Sequence, residues 1–304
     1  MKIAVTGGLG HLGRVLCQQF LDSNIAVRIL DVRTPTDSEP PGEFRLLDVT
    51  DPKSVQGSLD GCDVVVHLAA LLEDGGDAAS FERVNYRGTC LMKDEALRAN
   101  VRRFVFISSI SVLYRQGNAY SISKAKAENA LSGSPLSELV ILRPTLVICD
   151  GGAQEFARFA KLVRRLPVLP LPGGGKAHKR PVHARDLALA IVKASLVPLP
   201  SRISLDLPGK QVVTLDGLAR RVRSRDGRTL KILPVPLWLA HFSAWATESI
   251  FRIFGRCAPW NRQILSGLLE DAAPDPSNAR SLLGWDPSGL DDFFPTTRLP
   301  GDKK

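Results

Sequence analysis

Apolar positions in the first half of the chain follow two alternating rhythms. Short runs at Ile3-Ala4-Val5, Ala26-Val27-Arg28-Ile29-Leu30, Phe44-Arg45-Leu46-Leu47, Val64-Val65-Val66-His67-Leu68-Ala69-Ala70 and Phe104-Val105-Phe106-Ile107 have the length and composition of strands. The run at 64–70 is almost unbroken, as a strand buried on both faces must be. Between the runs, Leu12, Val15, Leu16, Phe20 and Leu21 recur at helical spacing, Pro52 opens a short helix behind Asp51, and 81–99 reads as one long helix. Pro35, Pro40, Pro41 and Gly42 make 34–42 a loop, and Gly75-Gly76 mark another at 73–80. Strands alternating with helices at this spacing predict an α/β fold, a doubly wound parallel sheet with its ligand at the carboxyl ends of the strands.

Past the strand predicted at 139–144 the rhythm loosens. Helices are expected at 154–165, 186–196 and 237–254, and a short strand within 202–207. The proline- and glycine-rich segment 166–175 reads as a loop.

The first strand runs into Thr6-Gly7-Gly8-Leu9-Gly10-His11-Leu12-Gly13. In such a turn one glycine makes the bend, one lets the backbone approach a pyrophosphate and one lets the helix pack on the strand. The helix start supplies N–H groups and a positive dipole end to phosphate. Asp31 closes the second strand eighteen residues after Gly13, where a carboxylate accepts hydrogen bonds from an adenosine ribose. Residues 1–143 are therefore read as an NAD(P)-binding Rossmann domain, and 144–304 as mainly a substrate-binding region interleaved with the last strands of the sheet.

Composition adds bounds. With 304 residues, 44% hydrophobic and 23% charged, the chain buries a sizeable core. Cys17, Cys62, Cys90, Cys149 and Cys257 form no Cys-x-x-Cys pair, and no histidine cluster has metal-ligand spacing, so no metal is expected. Scattered thiols and an N-terminus without a signal-peptide pattern point to a reduced, cytoplasmic setting. The longest apolar stretch, 232–246, contains Pro234, Pro236 and His241 and is too short for a transmembrane segment. It is a core helix, the lining of an apolar pocket or a membrane-surface element.

The net charge of +9 is uneven: 156–185 holds Arg158, Lys161, Arg164, Arg165, Lys176, Lys179, Arg180 and Arg185 without one Asp or Glu. Such a stretch favours an anionic partner. A second run, from Arg220 to Lys231, reads as a solvated helix face. No aromatic residues interleave those arginines for base stacking, so nucleic acid is not an expected partner.

Chemistry is concentrated after the strand at 104–107. Ser108-Ser109-Ile110-Ser111 is followed by Tyr120-Ser121-Ile122-Ser123-Lys124, which opens a helix. Tyr120 and Lys124, four apart, share a helix face. An ordinary tyrosine ionises near pH ~10 and is a poor base at neutrality, but a neighbouring ammonium favours the phenolate. A serine at the strand end can polarise a carbonyl or alcohol oxygen while the tyrosine moves the proton and a bound nicotinamide moves the hydride.

These marks together resemble the extended short-chain dehydrogenase/reductases of the NAD-dependent epimerase/dehydratase family. The resemblance rests on Thr6-Gly7-x-x-Gly10-x-x-Gly13, Asp31, Asp48-Val49, His67-Leu68-Ala69-Ala70, Asn85 with Gly88-Thr89, Ser108-Ser109, Tyr120-x-x-x-Lys124, Arg143-Pro144, His183 with Asp186, and Leu283-Gly284-Trp285. It implies that Gly7, Gly10, Leu12 and Gly13 form the pyrophosphate turn, that Asp31 meets the adenosine ribose, and that Asp48 and Val49 lie at the adenine. Leu68 and Ala69 would border the cofactor, Lys124 would hold the nicotinamide ribose, and Ser109, Tyr120 and Lys124 would form the catalytic set, with Ser111 in reserve. The cofactor implied is NAD; Arg33, two residues past Asp31, would meet the 2′-phosphate of NADP. Lys179 and Arg180 stand where the family meets the diphosphate of a nucleotide sugar, and homodimers are usual among such proteins.

Three readings follow. The first is an NAD(P)-dependent oxidoreductase or epimerase acting on a hydroxyl or keto carbon of a nucleotide-linked sugar. No acidic residue lies between Ser108 and Tyr120, which argues against dehydration. The second is a reductase or dehydrogenase of an apolar, steroid-like or isoprenoid ketone, with Trp238, Phe242 and Trp245 near the substrate. The third is a non-catalytic dinucleotide-binding subunit or redox sensor, which has no use for the Ser-Tyr-Lys set.

Overall fold

The computed structural model describes residues 1–35, 42–72, 77–115, 117–148, 154–224, 226–253, 258 and 260–294. Parts of the expected loops at 34–42 and 73–80, together with Cys149 and Cys257, lie outside the described residues. The first part of the chain runs β1 (Lys2–Thr6), α1 (His11–Asp22), β2 (Ala26–Asp31), β3 (Glu43–Leu46), α2 (Pro52–Val55), β4 (Val64–His67), α3 (Ala78–Phe81), a π-helix (Glu82–Gly88), α4 (Thr89–Arg98), β5 (Arg103–Ile107), a 3-10 turn (Ile110–Leu113), α5 (Ala119–Ser132) and β6 (Glu138–Pro144). It continues through β7 (Val147–Ile148), α6 (Gln154–Arg165), β8 (Val168–Pro172), β9 (His178–Lys179), β10 (Val182–His183), α7 (Ala184–Leu196) and β11 (Arg202–Leu207). Last come β12 (Val213–Thr214), α8 (Leu215–Ser224), β13 (Lys231–Val235), α9 (Leu237–Ile253), α10 (Arg262–Leu269), α11 (Ser277–Leu283) and α12 (Leu290–Phe293).

Seven strands form one parallel sheet in the order β11-β6-β5-β4-β1-β2-β3. The doubly wound expectation holds. Alternate residues of the inner strands serve opposite cores, as the two-residue period of a strand requires. Ile3, Val5, Val64, Val66, Val105, Val140 and Leu142 pack with Leu16 and Phe20 of α1 and Leu187 and Ile191 of α7. Ala4, Leu30, Val65, Phe104, Phe106, Leu139 and Ile141 meet Met92 of α4 and Ala127 and Leu131 of α5. The chain winds outward from β1 through β2 and β3, then returns to the other side of β1 for β4. The crevice between the ends of β1 and β4 is thus the switch point where such sheets take ligands.

The seventh strand, β11, comes from beyond residue 200 and pairs with β6 from Arg202↔Leu139 to Leu207↔Pro144. Around it the later segments build three two-stranded sheets, β10-β7, β12-β9 and β13-β8, over a separate core that includes Phe156, Val163, Leu169, Leu171, Leu218 and Val222.

Two expectations are corrected. The segment 166–175 is not all loop: β8 pairs in parallel with β13, and Leu169 and Leu171 point into the core. Its prolines are tolerated because each strand of a two-stranded sheet is an edge, with one row of N–H positions free of the ladder. The long helix expected at 81–99 is interrupted by the π-helix, a form that commonly marks functional sites.

Candidate active site

The chain leaves β1 at Thr6 and bends at Gly7, whose φ of +68° a side chain rarely adopts. A Cβ at Gly7 would lie 3.0 Å from the Ala69 nitrogen, and one at Gly13 would lie 2.3 Å from the Gly7 oxygen. Gly10, the N-cap of α1, brings no side-chain bond to the first-turn N–H groups. A backbone cradle that excludes side chains and ends in an uncapped helix start fits a pyrophosphate.

Asp31, buried at the end of β2, is tied to this turn: Leu9 N–H donates to its Oδ2 at 2.9 Å, and Arg33 N–H to its Oδ1 at 3.0 Å. The exposed guanidinium of Arg33 folds back onto the same carboxylate, with Nε 3.2 Å from Oδ1. Asp48 holds the next loop by accepting at Oδ1 from the Thr50 N–H and hydroxyl, both at 2.8 Å. Val49 is buried against Gly88, where a Cβ would come within 2.9 Å of its Cγ2. Leu12, Leu68 and Ala69 are half-buried.

Beneath the crevice runs a buried hydrogen-bond chain. The Thr89 hydroxyl donates to Asn85 O at 2.7 Å, so its oxygen accepts from His67 Nε2–H at 3.0 Å. His67 Nδ1 then accepts from the Thr6 hydroxyl at 2.7 Å, and the Thr6 oxygen accepts from Ala69 N–H at 3.1 Å. Burial holds His67 neutral, lowering its pKa to about 3, with the Lys124 ammonium adding to the drop. Asn85 clasps the backbone of Leu71 at 2.8 and 3.0 Å and donates to Ser123 Oγ at 3.2 Å. Loop 68–71, the π-helix and α5 are thereby locked together. His67, Asn85 and Thr89 stand in the motifs behind the resemblance, but the motifs assign them no task; only their meeting in space shows it.

Ser109 caps the 3-10 turn, and its Oγ accepts from both the N–H of Ser111, at 3.2 Å, and its hydroxyl, at 3.0 Å. Tyr120 lies in the first turn of α5, behind the N-cap Asn118, whose side chain accepts from Ser121 N–H at 2.8 Å. The positive end of a helix favours a phenolate there. Its ring meets Phe81 edge-on at 5.9 Å. Lys124, one turn on, is buried, donates to Ile107 O at 2.8 Å and lies over the Phe106 ring at 4.8 Å. Burial pulls the Lys124 pKa down to about 8, and the Glu128 carboxylate opposes the drop. Glu128 is itself clamped by Arg143 through two bonds, at 2.9 and 2.6 Å. The 3-10 turn packs on α5, which brings the serines to the helix that carries Tyr120 and Lys124.

Lys179 and Arg180, expected to meet a diphosphate, both donate to backbone carbonyls. Lys179 is buried, and its ammonium donates to Gly267 O at 2.8 Å and to Glu270 O, capping the carboxyl end of α10. Arg180 donates to Pro274 O at 2.9 Å and Lys210 O at 3.2 Å. Sequence spacing could not place these carbonyls beside them. Among the described residues, no group of three or more His, Cys, Asp or Glu side chains could hold a metal ion, and no helix is long and apolar enough to cross a membrane.

Residues 4–135 match the model of the 3-beta hydroxysteroid dehydrogenase/isomerase family. A UDP-glucose 4-epimerase of Vibrio cholerae is 28% identical over 94% of this chain and 90% of its own length. A ceramide reductase of Caulobacter vibrioides is 28% identical over 67% of this chain, a stretch that spans only 63% of that protein. Among solved structures, the UDP-glucose 4-epimerase of Thermus thermophilus in complex with NAD covers all of both chains with a TM-score of 0.74 at 20% identity, a likeness of fold. Set beside the switch-point cradle and the Ser-Tyr-Lys motif, these likenesses bear out the resemblance to the extended short-chain dehydrogenase/reductases.

Proposed function

We propose that the protein is an NAD(P)-dependent oxidoreductase that interconverts a secondary alcohol and a ketone on an apolar substrate. The single observation that carries the substrate class is the engagement of Lys179 and Arg180 with backbone carbonyls, which directs both expected cations toward the chain's own backbone. The steroid dehydrogenase family match and the likeness to a ceramide reductase support the same class. Epimerisation of a nucleotide-linked sugar is the second reading, supported by the nearly full-length likeness to a UDP-glucose 4-epimerase.

In this reading residues 1–143 hold the cofactor and 144–304 mainly the substrate. Gly7, Gly10, Leu12 and Gly13 receive the pyrophosphate, Asp31 the adenosine ribose, Asp48 and Val49 the adenine side, and Leu68 and Ala69 border the remainder. A carboxylate pinned by Leu9 N–H favours NAD, while the exposed Arg33 guanidinium, if it left Asp31, would provide for a 2′-phosphate. Bound nicotinamide supplies or accepts the hydride at the reacting carbon. Ser109 donates its hydroxyl hydrogen to the carbonyl oxygen. Tyr120 delivers the proton to that oxygen in reduction and removes it in oxidation, and Lys124 stabilises the phenolate that results.

The test is Tyr120→Phe together with substrate competition. The variant should bind NADH or NADPH as the parent chain does while turnover of a steroid or long-chain ketone collapses by more than about a hundredfold. Full turnover would remove the mechanism. Competitive inhibition of the parent enzyme by uridine diphosphate would overturn the apolar substrate in favour of the second reading.

A further inference from the structure

Among the described residues, helix α9 is packed on one side only. Ala240 and Ala244 are buried with Leu265, and Val235, Trp260 and Leu269 pack around them. At a helical repeat, the opposite arc carries Trp238, Leu239, Phe242, Trp245, Ile250 and Ile253. These face water: Trp238 is 71% exposed, Phe242 57%, Trp245 52% and Ile253 81%. Exposed Leu233 and Leu237 extend the patch toward β13. Soluble surfaces rarely expose so much contiguous apolar side chain without a use for it.

The surroundings define the occupant. That arc carries no acidic residue, and the single acid of α9, Glu248, is paired with Arg262 at 2.8 Å. Lys231 at the start of β13 and Arg252 in the last turn of α9 are both exposed. Lys176 is 77% exposed and lies 3.9 Å from Asp216. It stands beside the patch: Cβ atoms built on Gly173 and Gly174 would come within 3.4 Å of Leu237 and 3.6 Å of Pro234, the second also 3.9 Å from the Lys176 side chain. Two tryptophans and a phenylalanine inside a basic frame, on a chain of net charge +9, match the two components of an interface between acyl chains and anionic headgroups. α9 is too short to cross a bilayer and is held sideways by α10, so it would lie in the plane of the surface.

We propose that this face of α9 docks the protein on an anionic lipid bilayer, with Trp238, Phe242 and Trp245 in the headgroup–acyl boundary and Lys176, Lys231 and Arg252 against lipid phosphate. The proposal rests on the exposed face and its charge frame, not on the substrate reading.

The test uses the full chain with two vesicle preparations, phosphatidylcholine alone and phosphatidylcholine with about one third phosphatidylglycerol. Co-sedimentation should occur with the anionic vesicles, weaken with added salt, and fall about tenfold or more in Trp238→Ser/Phe242→Ser. Lys176→Glu/Lys231→Glu, two exposed positions that leave the apolar arc intact, should lower binding to anionic vesicles as well. Lipids brominated near the headgroup should quench the fluorescence of Trp238 and Trp245 but not that of Trp285, which is buried. Absence of binding to both vesicle types would overturn the proposal. So would a concentration-dependent dimer abolished by Trp238→Ser/Phe242→Ser, which would assign the face to a second copy of the chain. The catalytic assay of Tyr120→Phe moves independently of all these readouts.

Discussion

Ser111 gives both its N–H and its hydroxyl to the Oγ of Ser109, at 3.2 and 3.0 Å. With its lone pairs occupied, Ser109 is left as a donor, which is the role a carbonyl oxygen requires. Ser109→Ala should therefore lower kcat by about 10²–10³, the usual loss of one oxyanion donor. Ser111→Ala keeps that donor but frees its rotor, and should cost about tenfold. Nicotinamide fluorescence titration should find cofactor binding unchanged in both. A larger loss for Ser111→Ala than for Ser109→Ala would exchange their roles.

Lys124 sets an alkaline limit. Its ammonium is lost as pH rises through about 8, and the phenolate loses its partner. The folded value lies below the ordinary 10.5, so the cost of burying the charge is full below about 8 and is relieved as pH rises toward 10.5. Glu128 opposes the drop, so Glu128→Gln should move the alkaline limb of the kcat profile to lower pH. An unmoved limb would separate that limb from Lys124.

His67 makes the crevice sensitive to acid. Its folded value of about 3 lies below the ordinary 6.5, so the stabilisation is complete above 6.5 and is lost as pH falls toward 3. In that window each pH unit costs about 1.4 kcal/mol from this one site. Urea unfolding between pH ~4 and ~7 should show a shallower pH dependence for His67→Gln than for the parent, by about one proton.

Gly13 and Gly10 differ in what a methyl group would meet. At Gly13 it would strike the Gly7 oxygen at 2.3 Å and the Gly8 Cα at 2.7 Å, whereas at Gly10 it would meet only the Gly7 oxygen, at 3.1 Å. Gly13→Ala should lower stability by more than about 2 kcal/mol and abolish dinucleotide binding, and Gly10→Ala should cost about 1 kcal/mol or less in stability. Thermal melts with and without NAD compare the two.

Lys179→Met removes the cap from α10. A loss of about 1–3 kcal/mol in stability is expected from the two stranded carbonyls, with no change in the affinity for uridine diphosphate. A weaker nucleotide complex without loss of stability would return Lys179 to the substrate.

The parallel sheet was legible because its inner strands, such as β1, β4 and β5, are buried on both faces and read as apolar runs, and because Gly7, Gly13 and Asp31 mark the turn by chemistry as well as pattern. The β8 strand was hidden by Pro170 and Pro172, which signal a loop until a partner as distant as β13 supplies an edge pairing. The basic character of Lys179 and Arg180 was visible, but their targets, Gly267 and Pro274, lie 88 and 94 residues away. Likewise the Thr6–His67–Thr89 chain joins positions 61 and 22 residues apart, a closure that no local rhythm encodes.

The late arrival of β11 gives the chain a timetable. During synthesis β6 emerges with one edge unpaired, and its partner leaves the ribosome some sixty residues later, after β7 through α7 have been made. Arg103 waits as well, because its guanidinium is bonded to Ala194 O and Val197 O at the end of α7. A nascent chain halted before Ala194 therefore presents an open strand and an Arg103 that has Glu138 but neither of its two carbonyl acceptors. Such a chain is the form that chaperones and proteases would encounter, and native protection of β6 is complete only when the later segments have folded back onto it.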